Sequence, residues 1–576
     1  MNQPSPAIVA QGAVRRLPRI ALWLFCIAYV LPGFVGREPW KSADMTAFGY
    51  MAELARGQSS WFNPLLAGVA PSVDGLLPHW LGAWAILLAP QWIAPDFAAR
   101  IPFAMLLAMT LIATWYGTYY LARSPQAQPV AFAFGGEANA PDYARAIADG
   151  GLLAFIATLG LAQLSHETTP AVAQLCFAAL TFYAFSALHY RTVAPALCGL
   201  AGLVGLGLSG APTIAVLLGL GGVAVHLSER NPDPPGPVDH LSKRVIWSGS
   251  ILLVIAGVAA LASILDLWQW RIDPPRATWG DWRDMGRLLL WFTWPAWPLA
   301  IWTLWRWRLQ LGQLRSGILH RHLALPIWWI FVILGNTILT GAGDRALLLA
   351  LPALAALAAF ALPTLGRSVA ALIDWFTLLF FTGCATIIWV VWIAMQTGIP
   401  PQPAANVARL APGFVHSFTY SAFLIAIAAT AAWGWLVKWR VGRHQSAIWK
   451  SLVLPASGAA LCWLLLMTLW LPLLDFARSY TVLAQSIKRI VGNPDCVEIH
   501  ALDRGQIAAF QFYANLNLRI AGAMAQCDWL LVDRGATGSL AEAVEMAQWT
   551  PQYFGYRPSD RDDDVLLYRR QTRSPR

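Results

Sequence analysis

Long apolar stretches fill this chain from about residue 17 to residue 475, and they leave it few ways to fold. A helix of about 20 apolar residues can cross a bilayer, and many windows among the 13 or 14 apolar stretches reach that length. In lipid, a backbone can satisfy its own hydrogen bonds only as a helix or as a closed barrel. The sequence therefore predicts an α-helical integral membrane protein with about 13 transmembrane helices.

The composition excludes soluble classes of protein. Of the 576 residues, 57% are hydrophobic and only 12% are charged, whereas a soluble chain carries about 25% charged residues. The net charge of +10 is spread over short loops between the apolar stretches. That pattern is typical of loops held on the cytoplasmic side of a membrane and not of a nucleic-acid-binding patch. We therefore expect membrane lipids, and no nucleic acid, among the partners.

The distribution of charge also predicts the orientation of the chain. If the Arg and Lys clusters lie inside, the N-terminus is cytoplasmic and the residues after 475 are outside. The first apolar stretch lacks a small-residue cleavage site, so it is predicted to be a retained helix and not a signal peptide. An even number of complete crossings would return the tail to the inside, so one stretch is expected not to cross. The candidates are 79–94 with 97–122, and the pair 194–209 and 212–227.

The chain divides into two predicted domains. Residues 1–475 form the transmembrane domain, which includes a long first loop at 37–78 on the outer side. Residues 476–576 differ in kind, because Cys496–Leu502 alternates like a strand and Gln506–Leu516 has helical periodicity. We expect this tail to be a small α/β domain seated on the outer face. Its two cysteines can form a disulfide if the tail faces an oxidising compartment; they are Cys496 and Cys527.

The first loop is the strongest indication of function, because charged residues gathered at one face of so apolar a chain usually have a functional role. From Asp44 the pattern becomes helical, with Met45, Phe48 and Met51 on one face. This helix is expected to lie flat at the membrane surface. At its start, the Asp44 carboxylate can simply cap free amides. The same position also suits a general base that works on a substrate presented from the membrane.

Two further polar clusters fall in short turns between apolar stretches. His166 and Glu167 lie in one turn, where they can be turn polarity, metal ligands or substrate contacts. Arg345 follows Asp344 in the other turn. It can pair with that aspartate, or it can hold a lipid phosphate bidentately. The sequence contains no phosphate-binding P-loop and no nucleophile elbow.

Together these segments resemble the membrane glycosyltransferases of the C-type fold. The most similar families are the protein O-mannosyltransferases and the lipid A aminoarabinose transferases. An acid opens a helix in the long first loop, and a proline-aromatic sequence enters the next stretch. An Asp-Arg turn precedes a later helix with a proline, and a soluble domain follows the last stretch. The matching segments are Asp44–Arg56, Leu77–Trp80, His166–Glu167 and Asp344–Pro352.

The chain departs from the pattern of these families in three places. The acid pair expected in the first loop is Asp44-Met45, and the tyrosine expected after Arg345 is a leucine. The phosphate-binding lysine expected before Pro78 is missing, and Lys41 is the substitute that the first loop offers. These changes leave the sugar and the acceptor undefined.

The resemblance implies an inverting glycosyltransferase of the bacterial inner membrane. It would move a sugar from a polyprenyl-phosphate-linked donor to a lipid, glycan or protein acceptor at the periplasmic face, where the C-terminal domain would also lie. Asp44 would be catalytic, as a base or as an electrostatic partner of the acceptor. Arg345 and Lys41 would bind the donor phosphate. Glu167, His166 and Asp74 would position the acceptor or bind a divalent metal ion.

Two other classes of function stay open at this stage. A transporter or flippase of a polyprenyl-linked lipid predicts charged residues near the bilayer midplane and paired broken helices. A scaffold for envelope assembly predicts that the acids of the outer loops are dispensable. Few charges fall in the middle of apolar stretches, since Asp266 and Asp374 lie near stretch ends. This distribution favours the enzyme.

Overall fold

The computed structural model describes residues 5–571 apart from 73–74, 229–240, 269–271, 277, 314–318, 342, 442–446, 523 and 558–559. Up to residue 478 the regular structure is helical. The helices of this region are α1 Arg19–Val30, α2 Ala43–Ala55, α3 Leu77–Leu88, α4 Pro95–Ala122, α5 Ala140–Ala157, α6 Leu161–Leu164, α7 Pro170–Ala187, α8 Val193–Leu208, α9 Pro212–Ser228, α10 Leu241–Ile264, α11 Trp279–Phe292, α12 Ala296–Arg306, α13 Arg308–Gly312, α14 Arg321–Thr340, α15 Gly343–Leu347, α16 Leu351–Ala359, α17 Arg367–Thr397, α18 Pro401–Leu410, α19 Tyr420–Val441, α20 Val453–Leu469 and α21 Leu471–Arg478.

Eight helical stretches of the described chain are long and apolar enough to cross a membrane, and four shorter apolar helices accompany them. The predicted helical multi-pass membrane architecture is confirmed at this level. The number of about 13 spans stays a prediction, since some expected spans contain short helices. For example, α3 has 12 residues and α12 has 11. At about 1.5 Å per residue, neither helix alone crosses a hydrocarbon core about 30 Å thick.

Small residues let the central helices approach closely, as is common inside membranes. A Cβ atom on Gly202 of α8 would lie 2.3 Å from the Thr181 hydroxyl oxygen of α7. A Cβ atom on Gly151 of α5 would lie 2.9 Å from the Thr118 side chain of α4. At these contacts the backbone of one helix packs against a side chain of the next, so α7 lies close against α8 and α5 close against α4. The turn that precedes α7 carries the first of the candidate site residues.

The C-terminal domain contains the only sheet of the described chain, formed by β1 Val497–His500, β2 Leu518–Ile520, β3 Trp529–Asp533, β4 Trp549–Arg557 and β5 Asp560–Arg570. The strand order is β2-β1-β3-β5-β4. Strand β1 is parallel to β2 and β3, whereas β5 is antiparallel to β3 and β4. A disulfide joins Cys496, just before β1, to Cys527, just before β3. The predicted small α/β domain is therefore confirmed as a fold. Its helices are α22 Thr481–Val491, α23 Arg504–Phe512 and α24 Thr537–Ala543.

Helix α23 of this domain packs directly on the first-loop helix α2. Phe48 and Phe512 meet edge to face, with ring centroids 4.7 Å apart. A Cβ atom on Gly49 would lie only 2.4 Å from the Cβ atom of Ala508. Helix α3 covers another side of α2, so nearly every side chain from Asp44 to Leu54 is buried. The C-domain face is the end of the helical region where α2 contacts α23.

The contact at Gly49 gives a stability prediction. In an exposed helix, Gly→Ala stabilises by about 1 kcal/mol. At Gly49 the added methyl group would overlap Ala508, whose Cβ cannot retract from its own backbone, and such overpacking costs about 1–3 kcal/mol. We expect Gly49→Ala to loosen the C-terminal domain, seen as faster hydrogen exchange in α23 and a lower melting temperature. Gly538→Ala is the matched control, because a Cβ atom there meets nothing within 4 Å. Equal exchange in the two variants would contradict this packing.

Candidate active site

Asp44 is the second residue of α2, and its side chain is 1% exposed. Its Oδ2 accepts hydrogen bonds from Arg37 Nη2 at 2.7 Å and from the Trp40 backbone N–H at 3.2 Å. Its Oδ1 accepts from the Thr168 backbone N–H at 2.7 Å and from the Thr168 hydroxyl at 2.8 Å. The four lone-pair positions of the carboxylate are therefore all used. None of these donors belongs to α2, so the interpretation of Asp44 as a simple helix cap is wrong.

Arg37 and Asp44 form a buried ion pair. Burial raises the pKa of Asp44, but Arg37, Arg100 and the hydrogen bonds from Thr168 together hold it below its usual range. Asp44 is therefore ionised at neutral pH. Arg37 also donates to the His166 carbonyl at 2.9 Å and lies 4.6 Å from the centre of the Trp40 ring. Its Nε and Nη1 have no partner among the described residues, so the guanidinium is only partly satisfied.

His166 is an anchor within the helix bundle. Its ring nitrogens face the backbone carbonyls of Ala162 and of Tyr29, and its ring packs at a tilt of 33° against Trp463 with centroids 4.7 Å apart. Burial lowers the pKa of His166 to about 4, which keeps the ring neutral. A neutral ring has one N–H and donates to only one of these two carbonyls. Both nitrogens nevertheless face the backbone, so the ring is not directed at a substrate.

Glu167 and Arg345, which the sequence assigns to different ligands, bind each other. Arg345 Nε and Nη2 donate to the Glu167 carboxylate at 2.9 to 3.0 Å, in a bidentate pair. The glutamate side chain is 4% exposed and the arginine side chain 35% exposed. Burial raises the pKa of Glu167 to about 7, although Arg345 opposes the shift. This pair can therefore change its charge close to neutral pH.

A cavity of about 540 Å³, with both polar and apolar walls, lies beside these two ion pairs at the C-domain face. Its walls include Ser42 and Ala43 next to Asp44, Thr169 next to Thr168, and the side chain of Arg345. The Thr169 side chain is buried, and its hydroxyl has no partner among the described residues. Helices α9 and α14 contribute their ends at the same face. The C-terminal domain closes the cavity with two side chains, Asp503 and Arg504.

An apolar groove of about 980 Å³ runs between α1 and α4. At the end nearest Asp44 it is lined by Phe34, Phe97 and Arg100. Arg100 is itself buried and donates to Asp96 at 3.0 Å. The groove has the size and surface of a site for a hydrocarbon chain, and its charged end lies close enough to Asp44 to lower the pKa of that carboxyl.

The other predicted residues lie elsewhere. Lys41 precedes Ser42 but is not among the residues that line the cavity or the groove, and its backbone N–H donates to the Arg478 carbonyl at 2.9 Å. Asp74 lies outside the described residues. Leu76, where the resemblance implies a lysine, is buried in an apolar cluster with Leu267.

His166 and Glu167, two of the three residues expected to hold a metal ion, do not fit one. In the part of the chain that the structure describes, no group of three or more His, Cys, Asp or Glu side chains is placed to hold a metal. The two ring nitrogens of His166 face carbonyls, and both oxygens of Glu167 accept from Arg345. We therefore derive no step through a metal.

Three residues of the site were missed at the level of sequence. Arg37 carried a signal, because it lies in the predicted outer loop, whereas the Arg and Lys clusters of the other loops are placed on the inner side. Thr168 lies next to Glu167, but a hydroxyl in a turn is too common to be informative. Arg504 carried no local signal at all, because apart from Asp503 its neighbours in the cavity lie more than 150 residues away in sequence.

No protein-family model and no curated protein matches the chain. Two solved structures are similar to it, both of ArnT from Cupriavidus metallidurans. With the structure bound to undecaprenyl phosphate the TM-score is 0.57 at 12% identity, over 96% of this chain and 98% of ArnT. With the apo structure the TM-score and identity are the same, over 96% of each chain. ArnT is a lipid A aminoarabinose transferase with the C-type fold, so the resemblance to that fold is confirmed.

Proposed function

We propose that this protein is an inverting membrane glycosyltransferase that uses a polyprenyl-phosphate-linked sugar donor. The observation that carries the proposal is the buried, ionised carboxylate of Asp44. It adjoins the lining of a cavity that lies between the membrane helices and the soluble domain. The fold shared with ArnT supports it, since ArnT was solved with undecaprenyl phosphate bound. The acceptor would be a lipid, glycan or protein hydroxyl that enters the same cavity.

Asp44 would act on the acceptor hydroxyl. In the resting state its four hydrogen bonds leave no free lone pair, so the acceptor must replace one donor. The Thr168 hydroxyl is the easiest to replace, because it is neutral and exchanges for another neutral hydroxyl at Oδ1. The acceptor oxygen then forms the new bond to the anomeric carbon while its proton passes to Asp44. A single displacement of this kind inverts the anomeric centre.

The leaving group would be the polyprenyl phosphate. The bond from the anomeric carbon to the phosphate oxygen breaks, and the phosphate keeps the electron pair. Arg345 lines the cavity and can stabilise this charge as it develops, provided that it shares its guanidinium with Glu167. Glu167 would set the orientation of Arg345, and in its ionised form it can also hold an acceptor hydroxyl.

We further propose that the C-domain face is periplasmic and that the N-terminus is cytoplasmic, in the bacterial inner membrane, with about 13 crossings. The disulfide between Cys496 and Cys527 supports this orientation, because disulfides persist in the periplasm and not in the cytoplasm. The apolar groove between α1 and α4 would open to the bilayer on this account.

The test is transfer of radiolabelled sugar by the purified full-length protein in lipid nanodiscs. The donor is a polyprenyl-phosphate sugar, and envelope fractions supply the acceptor. We expect label in an acceptor fraction together with release of polyprenyl phosphate. In a second experiment, the protein is placed in sealed vesicles with the same donor. Movement of the donor between leaflets without release of polyprenyl phosphate would identify a transporter and overturn the enzyme.

A further inference from the structure

The cavity holds two arginines, and only one of them is already neutralised. Among the described residues that line it, Arg345 and Arg504 carry a full positive charge. Arg345 donates through Nε and Nη2 to Glu167. An incoming phosphate must therefore compete with a carboxylate for this guanidinium. A second cation is needed if phosphate is to bind tightly while Glu167 is ionised.

Arg504 has the geometry of such a cation. It is the first residue of α23, and its Nε donates to the Ala70 carbonyl of the first loop at 2.9 Å. In the part of the chain that the structure describes, no carboxylate pairs with it, and its Nη1 and Nη2 have no hydrogen-bond partner. One bond thus fixes the guanidinium while its outer fork stays available. A fork of two parallel N–H donors matches two oxygens of a phosphate.

The neighbours of Arg504 are arranged to support this role. Asp503 also lines the cavity, but its carboxylate caps α23 by accepting from the Gly505 N–H at 3.1 Å. The Asp503 backbone N–H donates to Gln506 Oε1 at 3.0 Å, which completes a capping box. These bonds hold the Asp503 carboxylate to the helix end and fix the backbone from which Arg504 projects.

A second, independent observation points to a ligand in the same cavity. The Thr169 side chain is only 2% exposed, and its hydroxyl lacks a partner among the described residues. Buried hydroxyl groups in proteins almost always have a partner, so an orphan of this kind calls for one. Thr169 and Arg504 line one cavity, from the membrane region and from the C-terminal domain respectively. A phosphate in this cavity would accept from Arg504 directly, and from the Thr169 hydroxyl once that buried side chain rotates toward the cavity.

We infer that Arg504 of the C-terminal domain binds the phosphate of the lipid-linked substrate, with the Thr169 hydroxyl as a second donor. This inference rests on the proposed function, because it takes this cavity to be the donor site. It goes beyond that function in one respect. The phosphate site is incomplete without the C-terminal domain, so that domain is part of the binding machinery and not only a cover.

The test compares the binding of undecaprenyl phosphate and of undecaprenol, its uncharged alcohol, to the full-length protein in nanodiscs. We expect Arg504→Gln to weaken undecaprenyl phosphate binding by about 10- to 100-fold, the worth of a charge-assisted hydrogen bond. Undecaprenol binding should not change, which separates loss of charge from loss of structure. Arg504→Lys should keep most of the affinity, because it keeps the charge. Arg489→Gln is the matched control, an exposed arginine on α22 of the same domain.

Each outcome decides something. If Arg504→Gln and Arg489→Gln bind undecaprenyl phosphate as tightly as the wild type, the inference is overturned and the proposed function stands. If the wild type does not prefer undecaprenyl phosphate over undecaprenol, the proposed function fails first. Inorganic phosphate is the remaining arm of the test. Competition by it at the same concentrations as the lipid would assign the site to free phosphate and overturn the lipid assignment.

Discussion

Asp44→Asn is expected to lower the rate of sugar transfer by about 10²- to 10⁴-fold, the range found when a general base is removed. Asparagine keeps the size of the side chain and one acceptor oxygen, so it can still receive the Thr168 donors. It cannot take a proton from an acceptor hydroxyl, and it brings no negative charge. The measurement is the initial rate of label transfer from the polyprenyl-phosphate donor at a saturating donor concentration.

The same variant is expected to be less stable, which would confuse the result if it were measured alone. Removing one partner of a buried ion pair costs about 3–5 kcal/mol, because the other charge stays buried without compensation. Here Arg37 would be that charge, with its side chain fully buried beside Asp44. A loss of transfer in Asp44→Asn therefore needs a variant that restores the balance of charge.

The double variant Arg37→Gln with Asp44→Asn supplies that balance. It replaces two buried charges by two amides that can bond to each other, so the melting temperature should return toward the wild-type value. Transfer should stay low, because the base is still missing. Recovery of transfer together with stability would show that Asp44 only maintains the fold, and it would contradict the proposed mechanism.

Much of the fold follows from local pattern. The apolar stretches gave the membrane helices, because each satisfies its backbone within itself. In the C-terminal domain, the predicted strand Cys496–Leu502 and helix Gln506–Leu516 correspond to β1 and α23 within a few residues. Strand β4 was missed, whereas the last strand was predicted at Val565–Tyr568, within β5; the run of acids at the start of β5 conceals the rest of it.

The candidate site could be predicted only in part, because its contacts are long in sequence. The first-loop helix was expected to bury one face, whereas the C-terminal domain also buries the face around Gly49. Asp44 meets Thr168 at a separation of 124 residues, and Glu167 meets Arg345 at 178. Local periodicity compares residues three or four apart and cannot detect such pairs. What it did detect is that these acids and arginines lie in the turns of an apolar chain.

A common property of the site follows from these pairs. Its acids already accept hydrogen bonds from arginines, from a hydroxyl or from backbone N–H groups, so in the described part of the site a substrate meets no acid that lacks a partner. Arg37 and Thr169 still carry donors without partners in the described chain. Substrate binding would exchange internal bonds for bonds to phosphate and hydroxyl groups. Removing the arginine of a pair should therefore weaken ligand binding, whereas removing its acid should strengthen it.

The pair of Glu167 and Arg345 gives the sharpest prediction of this kind. Arg345→Met should weaken undecaprenyl phosphate binding by about 10- to 100-fold, since a charge-assisted donor is lost. The fold should survive. Arg345 lowers the pKa of Glu167, so once Arg345 is removed the glutamate can take up a proton and stay buried as a neutral group. Glu167→Gln should have the opposite effect and tighten binding, because it frees the Arg345 guanidinium from its competing carboxylate. Binding is measured on the full-length protein in nanodiscs.

The effect of Glu167→Gln should also depend on pH. Burial raises the pKa of Glu167 to about 7, so above that pH the carboxylate is ionised and competes with phosphate for Arg345. As the pH falls through 7, the wild-type glutamate takes a proton and comes to resemble the variant. The ratio of variant to wild-type affinity should therefore be largest near pH 8.5 and approach one near pH 5.5. Undecaprenyl phosphate itself changes charge near pH 6, but that change is common to both proteins and cancels in the ratio.

A purely structural pair would behave differently. If Glu167 and Arg345 only fastened α15 to the turn before α7, removing either partner would loosen the same contact. Both variants would then bind undecaprenyl phosphate more weakly, and the ratio would not follow pH. Opposite signs for the two variants, with a pH midpoint near 7, can arise only if the ligand and Glu167 compete for one guanidinium. That result would place the donor phosphate at Arg345 by direct competition and not by analogy of fold.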